Sequence, residues 1–284
     1  MRTLHDHLAQ ARERLVAAGI PPHEAALDAE VLARHVLGWD RARLIASGRE
    51  PASVAFANDY ERVIARRAAR EPVAQITGVR EFWGLEFEVT RDVLTPRPET
   101  ELIVEAALAE FPDPQADVSI VDVGTGSGCL AVALAKEFSS AEIIATDLSE
   151  AALAVARRNA RHHGVSNRIA FVCADLVPSI QPVDLIVSNP PYIRREDAVT
   201  LPPEVRDYEP HVALFADESG LQFYRRLFEE AVNELRSDGR LIVELGYDQR
   251  DRVTELAGLH GWRVLKTRDD LQGIARVLVL TPGA

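Results

Sequence analysis

Eighteen residues restrict the fold more than any other stretch: Val118-Ser-Ile-Val-Asp-Val-Gly-Thr-Gly-Ser-Gly-Cys-Leu-Ala-Val-Ala-Leu-Ala135. A β-branched run of the kind found in buried parallel strands passes into a glycine-rich turn and then into an alanine-rich helix. The glycines let the chain turn tightly and let a ligand approach the backbone N–H groups where the helix begins. The spacing is Gly-x-Gly-x-Gly, not the Gly-x-Gly-x-x-Gly of dinucleotide folds. A strand, turn and helix of this kind imply an open α/β sheet with a ligand at the carboxyl ends of its strands.

The following strands repeat the theme. Glu142–Asp147 ends in an acid, with Leu148 next. An acid closing the second strand of a nucleotide fold accepts ribose hydroxyls. Ile169–Ala174 runs into Asp175-Leu176. The apolar run Val183–Val187 leads to Asn189-Pro190-Pro191-Tyr192. Prolines cannot continue a ladder, so this strand must stop at Asn189. The turn is rigid and its carbonyls lack local donors. It offers hydrogen-bond acceptors beside an aromatic face, which suits a planar group bearing N–H donors.

The 284 residues suffice for one large domain or two smaller ones, and 47% hydrophobic content allows a substantial core. No apolar run approaches the length of a membrane span and no signal peptide is evident, so a cytoplasmic protein is expected. Cys129 and Cys173 read as buried free thiols, and no cluster has metal-ligand spacing. The net charge of −12 is uneven: residues 1–70 carry 11 Arg against 9 acidic residues, so the acidity lies beyond them. A protein gripping a long nucleic acid normally presents a basic face. Stable nucleic-acid binding is therefore not expected.

The chain opens with helical periodicity over residues 1–71: about Leu4–Ala18, His23–Leu37 closed by Gly38, Asp40–Ala46 and Val54–Arg70. Residues 72–95 change character. Val73–Thr77 and Glu81–Val89, with Gly78 and Gly84 at turns, predict a linking β-hairpin. Thr100 or Glu99 is placed to cap the apolar run Leu102–Leu108. The stretch Arg194–Ser219 is irregular and long enough to expect a functional loop. A helix from Gly220 to about Leu235, a turn at Ser237–Arg240, a strand Leu241–Leu245, a helix Gln249–Leu259 and strands near Trp262–Thr267 and Ala275–Leu280 complete the chain.

The Asn189-Pro190-Pro191-Tyr192 tetrapeptide resembles the signature of S-adenosylmethionine-dependent methyltransferases acting on amide or amino nitrogens. Gly78-Val-Arg-Glu-Phe-Trp-Gly84 and Leu94-Thr-Pro-Arg-Pro-Glu-Thr-Glu101 narrow this further. With them the chain resembles the release-factor glutamine methyltransferases, the HemK/PrmC family, over nearly its whole length. The resemblance implies a Rossmann-like class I methyltransferase sheet of seven strands, the last pair antiparallel, over residues 96–284. A helical substrate-recognition domain (1–71) and the hairpin (72–95) would precede it. It implies S-adenosyl-L-methionine held by Asp122, Gly124, Thr125, Gly126, Ser127, Gly128, Asp147, Leu148, Asp175, Leu176 and Asn189. Asp122 would orient the ammonium end, Asp175 would accept the adenine amino group and Leu176 would pack on the ring. The loop carrying Tyr208-Glu209-Pro210 would cover the substrate.

The implied reaction is methylation of the N5 amide of the glutamine in the Gly-Gly-Gln motif of peptide chain release factors. Asn189 and Pro190 would accept the two amide N–H groups, and Tyr192 would stack on the amide plane within a substrate site completed by Pro191. A monomer is expected. An adenine-N6 or ribosomal RNA methyltransferase shares the tetrapeptide, and the acidic balance argues against it. A cofactor-binding protein without catalysis is disfavoured by the intact tetrapeptide.

Overall fold

The computed structural model describes residues 2–217 and 219–283. The chain divides into two compact units, one of residues 1–78 with 202–208, the other of 79–201 with 209–284.

The first unit is helical: α1 (Leu4–Ala17), α2 (Pro22–Leu37), α3 (Arg41–Ala46), α4 (Val54–Ala68) and α5 (Val73–Thr77). Local chemistry sets the ends. Thr3 and Asp6 form a capping box on α1, Asp40 and Ser53 cap α3 and α4, and Gly38 closes α2 in the left-handed region. The strand predicted at Val73–Thr77 is instead α5. Pro72 opens it and Gly78 ends it at φ 78°. Its buried Ile76 packs with Leu15, Leu32 and Ile64, so tertiary burial overrides the β-branched local preference. The segment Pro202–Tyr208 is fastened into this unit. Glu204 pairs with Arg67 and Arg70 at 3.1 and 2.6 Å, the Tyr208 hydroxyl donates to the Ala69 carbonyl at 2.7 Å, and Gln75 Nε2 donates to the Tyr208 carbonyl at 3.0 Å.

The second unit opens on the antiparallel hairpin β1 (Val79–Phe82) and β2 (Leu85–Glu88). Trp83 and Gly84 both take positive φ, at 55° and 69°, as a two-residue hairpin turn requires. After α6 (Glu101–Glu110) come β3 (Ser119–Val123), α7 (Cys129–Glu137), β4 (Glu142–Asp147), α8 (Glu150–His162), β5 (Ile169–Cys173) and β6 (Val183–Ser188). Beyond the loop lie a helix Gln222–Glu234, β7 (Leu235–Glu244), a helix Arg250–Leu259, β8 (Trp262–Asp269) and β9 (Ala275–Pro282). The seven-stranded sheet has the order β5-β4-β3-β6-β7-β9-β8. The first five strands are parallel neighbours, and β9 runs antiparallel to both β7 and β8. This is the class I methyltransferase fold.

Alternation along the strands fills two cores. Ile120, Leu185 and Val187 join the layer with α6 and α7, while Val121, Val123 and Ile186 face Tyr224, Leu227 and Phe228. The expected turn at Ser237–Arg240 is absorbed as an irregularity inside β7, because pairing with β6 steps from Val183/Leu235 to Leu185/Arg240. Thr100 precedes α6 without capping it. Cys129 is buried but Cys173 is exposed at the end of the edge strand β5, which corrects the reading of both as buried. The stretch Arg194–Ser219, which includes residue 218 outside the described set, contains a 3-10 turn (Arg195–Thr200) and short helices at Pro203–Arg206 and His211–Leu214. Among the described residues no helix is long and apolar enough to cross a membrane.

Candidate active site

Strand order reverses between β3 and β6, and open α/β sheets hold ligands outside the carboxyl ends of their strands at such a switch point. A cleft lies there. Of the residues expected to bind, Gly124, Gly126, Asp147, Leu148, Asp175, Leu176, Asn189, Pro190 and Pro191 line it. Asp122, Thr125, Ser127, Gly128 and Tyr192 do not. Leu94, Val123, Ala174, Ser188, Val212, Ala213 and Phe223 complete the wall. Leu94 lies beside the quoted Pro-Arg-Pro-Glu-Thr-Glu run. No pattern in the sequence marked Val212 or Phe223, which reach the cleft from segments distant in the chain.

The glycine loop is built from β3 to α7. Gly124, Gly126 and Gly128 all have positive φ. At Gly128 a Cβ would also lie 3.0 Å from the Ala156 Cβ on α8, so close helix approach requires glycine. Thr125 donates its N–H to the Thr146 carbonyl at 2.8 Å, tying the loop to β4. Asp147 Oδ2 accepts the Gly126 N–H and its Oδ1 the Ser149 N–H, both at 2.9 Å. Asn159, a buried residue of α8 that the sequence did not single out, donates to the Ser127 carbonyl at 2.8 Å and exchanges hydrogen bonds with the Glu88 backbone at 2.8 and 3.1 Å. It ties the loop to the hairpin.

Asp122 is 1% exposed. Its Oδ2 accepts from the Thr125 hydroxyl at 2.6 Å and the Ala131 N–H at 3.1 Å, which places a carboxylate at the positive end of α7. Its Oδ1 is buried with no partner. Burial pushes the carboxyl up to about 7, and the charge of Asp147 adds to this against the two hydrogen bonds. Asp175 is exposed and pairs through Oδ2 with Arg226 at 2.9 Å. Leu176 is held at φ 66°, uncommon for a residue with a side chain, while the Thr146 hydroxyl donates to its carbonyl at 3.0 Å.

The Asn-Pro-Pro-Tyr turn sits at the end of β6. Asn189 Nδ2 donates to the Thr100 hydroxyl at 3.0 Å, and that hydroxyl donates to Glu244 Oε2 at 2.6 Å. The Tyr192 hydroxyl donates to Glu244 Oε1 at 3.2 Å. Tyr192 therefore turns its hydroxyl toward Glu244, and its ring is not part of the cleft wall. Gly246 admits that ring: a Cβ there would lie 2.8 Å from Tyr192 Cδ2. Glu244 is 2% exposed, and burial pushes its carboxyl up to about 7 against hydrogen bonds from Thr100 and Tyr192. Ile193 exchanges backbone hydrogen bonds with Leu214 and Ala216 at 3.1 and 2.8 Å, which brings Val212 and Ala213 over the cleft.

Asp147 and Asp175 line the cleft, and no Lys or Arg does. An acidic wall disfavours the pyrophosphate of a dinucleotide and suits a cationic ligand. Asp122 lies buried behind the cleft wall with one oxygen unpartnered, a negative group that favours a cation in front of it, and the paired acceptors of Asp147 on the wall fit a diol. These residues fit S-adenosylmethionine, whose ends are an adenosine and a cationic amino acid. Among the described residues no group of three or more His, Cys, Asp or Glu side chains is placed to share a metal ion.

Comparison with known proteins gives the family and the fold. Residues 6–78 match the family described as "PrmC N-terminal domain", and residues 100–201 match "Methyltransferase small domain". The chain is 46% identical to a release factor glutamine methyltransferase of Cereibacter sphaeroides over 274 residues, covering 96% of each chain. It is 41% identical to one from Burkholderia pseudomallei, covering 97% of each. Among solved structures, the hMettl16 catalytic domain bound to an RNA hairpin superimposes with a TM-score of 0.58 at 18% identity, covering 77% of this chain and 81% of that one. A methyltransferase from Pyrococcus furiosus gives 0.51 at 19%, covering 80% and 100%. At these identities the structural matches speak for the fold alone.

Proposed function

Because this chain belongs to the release factor glutamine methyltransferase family, we propose that it methylates the side-chain amide nitrogen (N5) of a glutamine in peptide chain release factors, using S-adenosyl-L-methionine. One observation carries the reading. Asn189 and Pro190 are consecutive residues of the cleft wall, and among the described residues no hydrogen bond ends on the Asn189 side-chain oxygen or the Pro190 carbonyl. An amide NH2 group brings two donors to match them.

The donor supplies an electrophilic methyl group on a sulfonium. Asp147 would hold its ribose, Asp122 its ammonium, and Leu176 its adenine. The chemical difficulty lies in the substrate, since an amide nitrogen delocalises its lone pair into the carbonyl. Asn189 and Pro190 pin both N–H groups, which holds the nitrogen with the face of its amide plane toward the methyl position. Such orientation removes several kcal/mol of barrier, and acceptors aimed at N–H groups that grow more acidic as nitrogen acquires positive charge add to it. One of these protons then leaves the methylated nitrogen. No side chain is assigned as its general base.

In this reading the helical unit engages the folded release factor, and the glutamine belongs to a Gly-Gly-Gln sequence. The enzyme works in the cytoplasm as a monomer. The test offers full-length protein a release factor, duplex DNA and ribosomal RNA side by side with labelled donor. Label is expected in the factor. Label in either nucleic acid, with none in the factor, overturns the protein-substrate reading.

A further inference from the structure

We propose that Thr100 and Glu244 are positioning residues that decide which end of the Asn189 amide faces the substrate. The inference rests on the proposed role of Asn189 as acceptor for the glutamine amide. A primary carboxamide has two ends of nearly equal size, one donating and one accepting, and packing alone separates them poorly. Only one orientation works here. With Oδ1 outward, Asn189 accepts an amide N–H; reversed, it would set its own N–H donors against those of the substrate.

The network resolves the choice through one proton. The Thr100 hydroxyl is 2.6 Å from Glu244 Oε2, and both side chains are buried. A short contact to a carboxylate commits the hydroxyl proton to it. The Thr100 oxygen can then only accept from Asn189, which it does from Nδ2 at 3.0 Å. Oδ1 is left for the cleft. The fold spends Thr100 on this task, since the residue stands at the start of α6 yet makes no side-chain cap there. Glu244 is delivered by register: Ser188, the last residue of β6, pairs with Val243 of β7, so Asn189 follows β6 beside Glu244, which is still paired with Val277 of β9. Tyr192 donates to the other Glu244 oxygen at 3.2 Å, so Thr100 and Tyr192 hold the carboxylate from two sides, while Tyr224 donates to the Glu244 backbone carbonyl at 2.8 Å. Glu99, Arg276 and Cys129 also interact with Glu244, and Arg97 and Arg276 act on Tyr192.

Protonating Glu244 would release the Thr100 proton from its assignment, allowing Thr100 to donate to Asn189 and the amide to reverse. The test compares Thr100→Ala, Thr100→Ser, Glu244→Gln and Asn189→Ala with the full-length enzyme at saturating donor, so that Asp122 and donor affinity drop out. Thr100→Ala is expected to lower kcat on the order of 10- to 100-fold with donor affinity by calorimetry unchanged, and Thr100→Ser to recover most of it. The wild-type rate should rise as pH passes through about 7, where Glu244 ionises, and Glu244→Gln should flatten that rise. If Thr100→Ala melts early, the serine variant and the glutamine pH profile carry the test. An inactive Asn189→Ala beside near-normal Thr100→Ala overturns the positioning role alone, as does an unchanged pH rise in Glu244→Gln. A fully active Asn189→Ala overturns the acceptor role from which the inference starts.

Discussion

Asp147 accepts the backbone N–H of Gly126 at 2.9 Å, so the acid that closes β4 also shapes the glycine loop on β3. Asp147→Ala removes the proposed ribose acceptor and the bond to the Gly126 N–H together. Donor affinity measured by calorimetry is expected to fall on the order of tenfold or more. Unchanged affinity would contradict the role given to Asp147.

Asn189→Ala separates binding from transfer. In the proposed mechanism this side chain accepts from the substrate amide, so removing it should lower turnover on the order of 10² or more. Donor binding by calorimetry should persist. Near-normal turnover would remove Asn189 from the mechanism.

Asn159→Ala tests a residue outside the cleft. The variant leaves the Ser127 carbonyl and the Glu88 backbone groups without their buried partner. Unfolding in denaturant should show a loss of about 1–3 kcal/mol. Donor affinity should fall as well, because the loop loses its tie to the hairpin. A stable variant with a normal donor affinity would show that the tie is dispensable.

Two buried carboxyls give an unusual pH dependence. Burial raises Asp122 from 3.8 and Glu244 from 4.5, each to about 7. Between the ordinary and raised values the folded chain holds protons that the unfolded chain has released. Their contribution to stability is therefore full below about pH 4, falls as pH rises toward 7 and is level above it. Asp122→Asn and Glu244→Gln should each flatten part of that fall in melting curves taken across this range. A wild-type melting temperature that rises steadily from pH 5 to 8, with no change in either variant, would contradict the assignment.

Glu204 offers a test in the helical unit. Arg67 has a side chain only 5% exposed and is shared between Glu204 and Asp28. Glu204→Ala leaves Arg67 half-compensated and takes the partner from Arg70. Stripping one partner from a buried pair costs about 3–5 kcal/mol, and the remaining Asp28 should hold the loss below that. Burial raises the Glu204 carboxyl, but its backbone hydrogen bond and then Arg70 and Arg67 outweigh this and hold it below the ordinary range. Its stabilisation is thus present above the ordinary value and lost as pH falls through the lowered one. Wild-type stability in Glu204→Ala would show that the segment Pro202–Tyr208 is not fastened as observed.

The sequence disclosed those parts of the site that lie at strand ends, because a strand broken by glycine, proline or an acid leaves a local mark. Asp147, Asp175 and Asn189 were legible for that reason and line the cleft together. Val73–Thr77 misled because its β-branched residues match a strand locally while burial of Ile76 among helices decides the outcome. Thr100 or Glu99 reads locally as a helix cap, and nothing in the sequence shows that the partner of Thr100 is Glu244, 144 residues away. Asn159 looked like one polar residue among several on α8, and only the fold brings Ser127 and Glu88 to it. Contacts that depend on the register of distant strands leave no local trace.

Peptide mapping by mass spectrometry of a release factor incubated with this protein and S-adenosylmethionine tests the central claim most directly. A single added methyl group is expected on the glutamine side-chain amide of the Gly-Gly-Gln peptide, and none with Asn189→Ala. An unmodified glutamine, or a methyl group placed on another residue of the factor, would contradict it.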